Sequence, residues 1–157
     1  MRFAMLRRHL ATLAVALAVA PAASAAEDGV CGPDTAARLD VTVTNVRSGD
    51  GNVTITLYGD DPDDFLAKGT KIVRHRVPAV EGETVDCLAL PGPGTYAIAI
   101  YHDEDGDRDF DRNLIGLPTE GYGVSNNPKL GFLLPDFEDV KFAVEEGENA
   151  LSITMNY

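Results

Sequence analysis

Aspartates recur at every second position from Asp103 to Asp111, in the stretch YHDEDGDRDFDRN that runs from Tyr101 to Asn113. With Glu104 they crowd six carboxylates and one arginine into nine residues. Such a run is either a solvated face or a cation site. The alternation favours the cation, because a tight turn brings every second side chain onto one centre, and calcium takes several hard oxygen ligands. Set on the calcium-loop pattern D-x-[DN]-x-[DN]-G, Asp103, Asp105 and Asp107 take positions 1, 3 and 5, Asp109 position 7 and Asp111 position 9. Phe110 falls at position 8, where an apolar side chain packs inward. Two positions do not match. Position 6, a sharp turn that normally calls for glycine, is Arg108, and position 12, normally a bidentate glutamate, is Leu114. Glu120 is the nearest substitute for that last ligand. Calcium is the expected cofactor, ahead of magnesium, which keeps more water and fewer protein carboxylates.

Catalytic arrangements are sparse. His102 stands beside Asp103, so a small metal-dependent hydrolase using His102 and the loop carboxylates is the competing reading. Ser125, in GVSNN, lacks the G-x-S-x-G elbow of a serine hydrolase. No triad assembles, and an enzyme is not expected.

The elements that must carry the acidic loop are strands. LDVTVTNV and NVTITLYG alternate apolar and polar residues and, with SGDG between them, read as a hairpin. A helical turn capped by an aspartate is expected within DDPDDFLAKGT. KIVRHRVPAV and ETVDCLAL follow as strands. GTYAIAIYHD is apolar on both faces and reads as a central strand that runs straight into the aspartates. DVKFAVEEG and NALSITMNY end the series. The seven strands predict an all-β fold, a seven-stranded antiparallel β-sandwich of immunoglobulin-like or transthyretin-like type, with an up-and-down barrel as the alternative. From Asp103 to about Pro135 no regular element is evident. Loops that long are usually functional or disordered, and Phe110, Leu114, Ile115, Leu117 and Tyr122 make this one too apolar for disorder.

Residues 1–25 read as a signal peptide: Arg2, Arg7 and Arg8 precede an apolar run from Leu10 to Ala20, then Pro21 and small residues, with cleavage after Ala25 or Ala26. That run is too short to span a membrane. A single domain over residues 26–157, periplasmic or secreted and monomeric, is the expectation. In that setting Cys31 and Cys87 should form a disulfide. The net charge of −12 argues against nucleic acid or anionic membrane as a partner.

Three segments together resemble a known family: the Asp-rich loop after a strand, GLPTEGYGVSNN at Gly116–Asn127, and FEDVKF at Phe137–Phe142. They resemble the small exported bacterial proteins of domain-of-unknown-function family 2141, over roughly Leu39 to the C-terminus. The resemblance implies one exported domain in which the acidic loop and GLPTEGYGVSNN form a unit, with Glu120 beside the aspartates. It implies no activity. Tyr122, Ser125 and Asn126 are candidates for a recognition loop at the end of the sandwich, facing an envelope protein or a glycan. The combined expectation is a non-catalytic, calcium-binding envelope module.

Overall fold

A computed structural model describes residues 31–32, 35–129, 131 and 135–157. The segment read as a signal peptide lies outside the described residues. The strands are β1 (Ala37–Val46), β2 (Asn52–Tyr58), β3 (Val73–Pro78), β4 (Gly82–Leu90), β5 (Gly94–Asp103), β6 (Tyr122–Val124), β7 (Phe142–Val144) and β8 (Gly147–Thr154), with one helical turn, α1 (Phe137–Val140). They form a three-stranded sheet, β4-β1-β8, and a five-stranded sheet, β3-β2-β5-β6, in which β7 also pairs β5. This is the all-β sandwich that the alternating patterns predict.

Two sheets close over one core because each strand alternates. Leu39, Val41 and Val43 of β1 meet Val53, Ile55 and Leu57 of β2 and Ile98 and Ile100 of β5, all buried. Each such side chain contributes about 1.5–3 kcal/mol by leaving water. β5 is covered on its other face too, where Ala97 packs with Val124, Phe137 and Val140. The expected central strand is therefore found. A short 3-10 turn at Pro62–Asp64, capped by the Asp61 side chain, also matches the sequence reading. Cys31 and Cys87 are disulfide-bonded, with Cα atoms 5.8 Å apart, and the link ties the start of the domain to β4.

Three details differ from the sequence expectation. β1 and β2 are not a hairpin: both edges of β1 are taken, by β4 and by β8, and Ser48–Gly51 carries the chain from one sheet to the other. Alternation shows which side of a strand is apolar, and that is the same for a neighbour in the sheet and for a strand facing it across the core. Among the described residues the strands number eight, because β6 is only three residues long and lies within the segment read as irregular. The β1–β8 pair is parallel, where antiparallel pairing was expected throughout.

The free edge of β5 is shared. β7 pairs with Gly94–Tyr96 and β6 with Ala99–Tyr101, so the acidic loop leaves a strand held on both sides almost to its last residue. Gly51, at the turn into β2, lies against that last residue. Its φ is +60°, and a Cβ there would overlap the Asp103 carbonyl oxygen. Only glycine lets the two segments approach so closely.

Candidate metal centre

Residues along β5 alternate between its two faces, so Ile98, Ile100 and His102 point into the sandwich and Tyr101 and Asp103 point outward. Asp103 is nevertheless 0% exposed, because the loop folds back over it. Both of its carboxylate oxygens are buried without a hydrogen-bond partner. A carboxylate left in that state costs several kcal/mol unless something compensates the charge.

The loop is built from its own aspartates. Asp105 Oδ1 accepts from the Asp107 backbone N–H at 3.1 Å, and Asp107 Oδ1 accepts from the Asp109 N–H at 2.7 Å. These contacts tighten successive turns and leave the remaining oxygens to converge. Arg108, the misfit at position 6, has a φ of +73°. The chain thus makes the left-handed turn that a calcium loop needs there, with an arginine in place of the usual glycine. The Tyr101 hydroxyl donates to the Arg108 carbonyl at 3.1 Å and pins that turn to the sheet. Phe110 packs inward as expected, its ring 5.6 Å from Tyr101 and 5.9 Å from Tyr122.

Beyond Asp111 the chain makes a hairpin-like excursion and returns. Asn113 Oδ1 accepts from the N–H groups of Ile115 and Leu117, and the Thr119 N–H reaches the Asp111 carbonyl. Leu114 at position 12 is fully exposed at the tip of this excursion. The return places Glu120 beneath the loop, where Oε1 accepts from Glu104 N–H at 3.2 Å and Oε2 from Asp111 N–H at 3.1 Å.

Two groups of carboxylates result. Asp103, Asp105 and Glu120 each offer an oxygen within 4.8 Å of the others, and so do Asp105, Asp107 and Asp111. Oxygens bound to one calcium at 2.3–2.6 Å lie no more than about 5 Å apart, so either group fits a single ion. Asp105 belongs to both, and Asp109 to neither. Burial, the largest effect, raises the pKa of Glu120, and the nearby Asp111 and Asp103 charges add to it. The Asp111 pKa is raised as well, by desolvation first and then by Asp107, Asp105, Asp109 and Asp103. The cluster is thus electrostatically frustrated, and a cation at its centre would relieve that frustration. Glu104 stands apart: its carboxylate pairs with the Arg47 guanidinium, which lowers its pKa.

A family model described as "Uncharacterized protein conserved in bacteria (DUF2141)" matches residues 41–152. The chain belongs to this family. The DUF2141 match takes in the whole acidic loop, Glu120 and all but the first residues of β1. No curated protein and no solved structure matches the chain.

His102 is not a member of either carboxylate group. It is fully buried, with Nε2 2.8 Å from the Asp50 carbonyl and Nδ1 2.8 Å from the Tyr157 hydroxyl. A carbonyl can only accept, so Nε2 carries a proton and donates it to the Asp50 carbonyl, while Nδ1 pairs with the Tyr157 hydroxyl. Both ring nitrogens are thereby engaged inside the protein. The opposite faces of β5 separate the histidine from Asp103, and the loop carboxylate that it approaches is Glu104, 3.8 Å from Nδ1, which is paired with Arg47 and belongs to neither group.

The three recognition-loop candidates lie in different surroundings. Ser125 is 0% exposed: its N–H and hydroxyl pair with the Ile98 backbone, and the hydroxyl also donates to the Val140 carbonyl at 2.5 Å. It is a buried strut between β5 and α1. Asn126 is exposed but uses its amide on the carbonyls of Asp139 and Lys141. Tyr122 is half-buried against Phe110. Sequence reasoning missed Gly51 and Tyr101, which fix the entry and the turn of the loop. The first looked like ordinary turn chemistry, and the second like a strand residue.

Proposed function

We propose that this protein is an exported β-sandwich module that binds calcium through its Asp-rich loop and serves a non-catalytic structural or ligand-binding role in the cell envelope. The observation that carries the reading is Asp103, a buried carboxylate with no protein partner, grouped with Asp105 and Glu120. Calcium fits better than magnesium because the donor set is rich in carboxylates, whereas magnesium demands near-octahedral geometry and retains water. The disulfide and the absence, among the described residues, of any helix long and apolar enough to cross a membrane are compatible with a periplasmic or secreted setting. An envelope protein or a glycan is the class of partner this role implies.

Calorimetric titration of chelator-treated protein with calcium tests the reading. A saturable heat is expected, with an affinity as weak as roughly 10⁻⁴–10⁻³ M if the site is like those of many extracellular modules. Asp103→Asn, which keeps the shape but removes the charge, should lose most of that heat. A chain whose melting temperature ignores millimolar calcium and whose titration is flat does not serve this role.

A further inference from the structure

The outer face of the five-stranded sheet carries a groove of about 620 Å³, within the size range of small-molecule sites. Tyr58 and Tyr101 of the sheet, Phe110 and Leu117 of the loop, and Tyr122 of β6 give it a largely aromatic and apolar lining. Its charge is opposite to that of the chain. The protein has 25 acidic and 13 basic residues, yet none of the groove's described lining residues is an aspartate or glutamate, and two are Arg74 and Arg112.

Neither arginine has an ion-pair partner among the described residues. Arg74 is half-buried on β3, its Nε donating to Thr56 Oγ1 at 2.8 Å and its guanidinium acting also on the Tyr58 hydroxyl. All those partners are neutral. Arg112 lies over the Phe110 ring, 5.3 Å from its centroid, an arrangement that occupies the guanidinium face and leaves its edge for a planar acceptor. Two cations without an ion-pair partner among the described residues, beside apolar walls on an otherwise anionic protein, are complementary to an anion with an apolar body.

We infer that this groove binds a small amphipathic carboxylate, its acid group held by Arg74 and Arg112 and its apolar body lying along Tyr101, Phe110 and Leu117. The inference does not depend on calcium. Octanoate, titrated into the purified protein with chelator present and followed by nuclear magnetic resonance, is the test. Saturable shifts at Tyr101, Phe110 and Leu117 are expected. Neutral octanol should bind about tenfold more weakly, and Arg112→Gln and Arg74→Gln should each weaken octanoate by a factor of roughly five to ten. Arg112 is on an exposed loop, so its variant keeps the test decisive even if the Arg74 variant fails to fold. Equal binding of octanol and octanoate, octanoate binding untouched by Arg112→Gln, or no saturable shift overturns the inference. Self-association that the same variant abolishes would assign the groove to a second copy of the chain, and overturns it equally.

Discussion

The Glu120 carboxylate accepts the backbone N–H of Asp111 through one oxygen and that of Glu104 through the other, at 3.1 and 3.2 Å. One side chain thereby fastens both ends of the acidic loop while facing Asp103 and Asp105. Glu120→Gln keeps a single acceptor and turns an amide N–H₂ toward a backbone donor. The variant should lose about 1–3 kcal/mol of stability without metal, read from urea denaturation, and at least about tenfold in calcium affinity.

Arg108 holds a left-handed backbone that glycine adopts without steric cost. Arg108→Gly should stabilise the metal-free protein by about 0.5–1 kcal/mol, after the larger unfolded-state entropy of glycine offsets part of the relief. Calcium affinity should rise with it. Thermal melts and calorimetry on the one variant check both outcomes, and a destabilised protein would mean that the arginine side chain makes a contact worth more than the strain.

Acid should strengthen the metal-free fold. Burial raises the folded-state pKa of Glu120 above the ordinary 4.5, and Asp111 shifts in the same direction. The native state therefore binds protons more readily than the unfolded chain, and stability increases as the pH falls through the raised folded pKa toward the ordinary value and is lost as the pH rises through the folded pKa. The chelated protein should melt higher at about pH 5 than at about pH 7.5, with the difference reduced in Glu120→Gln. Under the proposed function, protons would compete with calcium for the same oxygens, so calcium affinity should decline as the pH falls over that window.

Ser125 connects β5 to the end of α1 without access to solvent. Ser125→Ala leaves the Ile98 N–H and the Val140 carbonyl short of a partner and should cost about 2–3 kcal/mol in denaturant unfolding. Calcium affinity should stay near that of the parent.

Gly51→Ala should do the opposite and damage both. The new methyl group meets the Asp103 carbonyl, and the positive φ disfavours any side chain. Lower melting temperature together with weaker calcium binding is the expected pair of results.

Much of this was legible in the sequence, and the failures share a cause. The period-two patterns of β1, β2 and β5 locate the strands and their buried faces, since burial on one face is a local property. Which strands pair is not local: β1 alternates in the same way whether β2 lies beside it or across the core from it. At the site, the spacing of the aspartates and the nomination of Glu120 come from residue chemistry; the structure gathers Asp103, Asp105, Asp107, Asp111 and Glu120 into two groups and leaves Asp109 outside both. The burial of Asp103 was not legible, because it depends on where the chain returns after the excursion at Leu114. The left-handed turn at Arg108 was hidden for a simpler reason, that arginine rarely adopts it.

The parallel pairing of β1 with β8 bears on how the chain reaches this structure. Thr44 and Thr154 sit opposite one another at a sequence separation of 110, so one edge of β1 waits for the last strand, β8, before it is covered. Contacts of such high order form slowly, and an unpaired strand edge invites pairing with another chain in the meantime. The smaller sheet should close last, and a nascent or truncated chain without β8 should precipitate where the full chain stays dispersed.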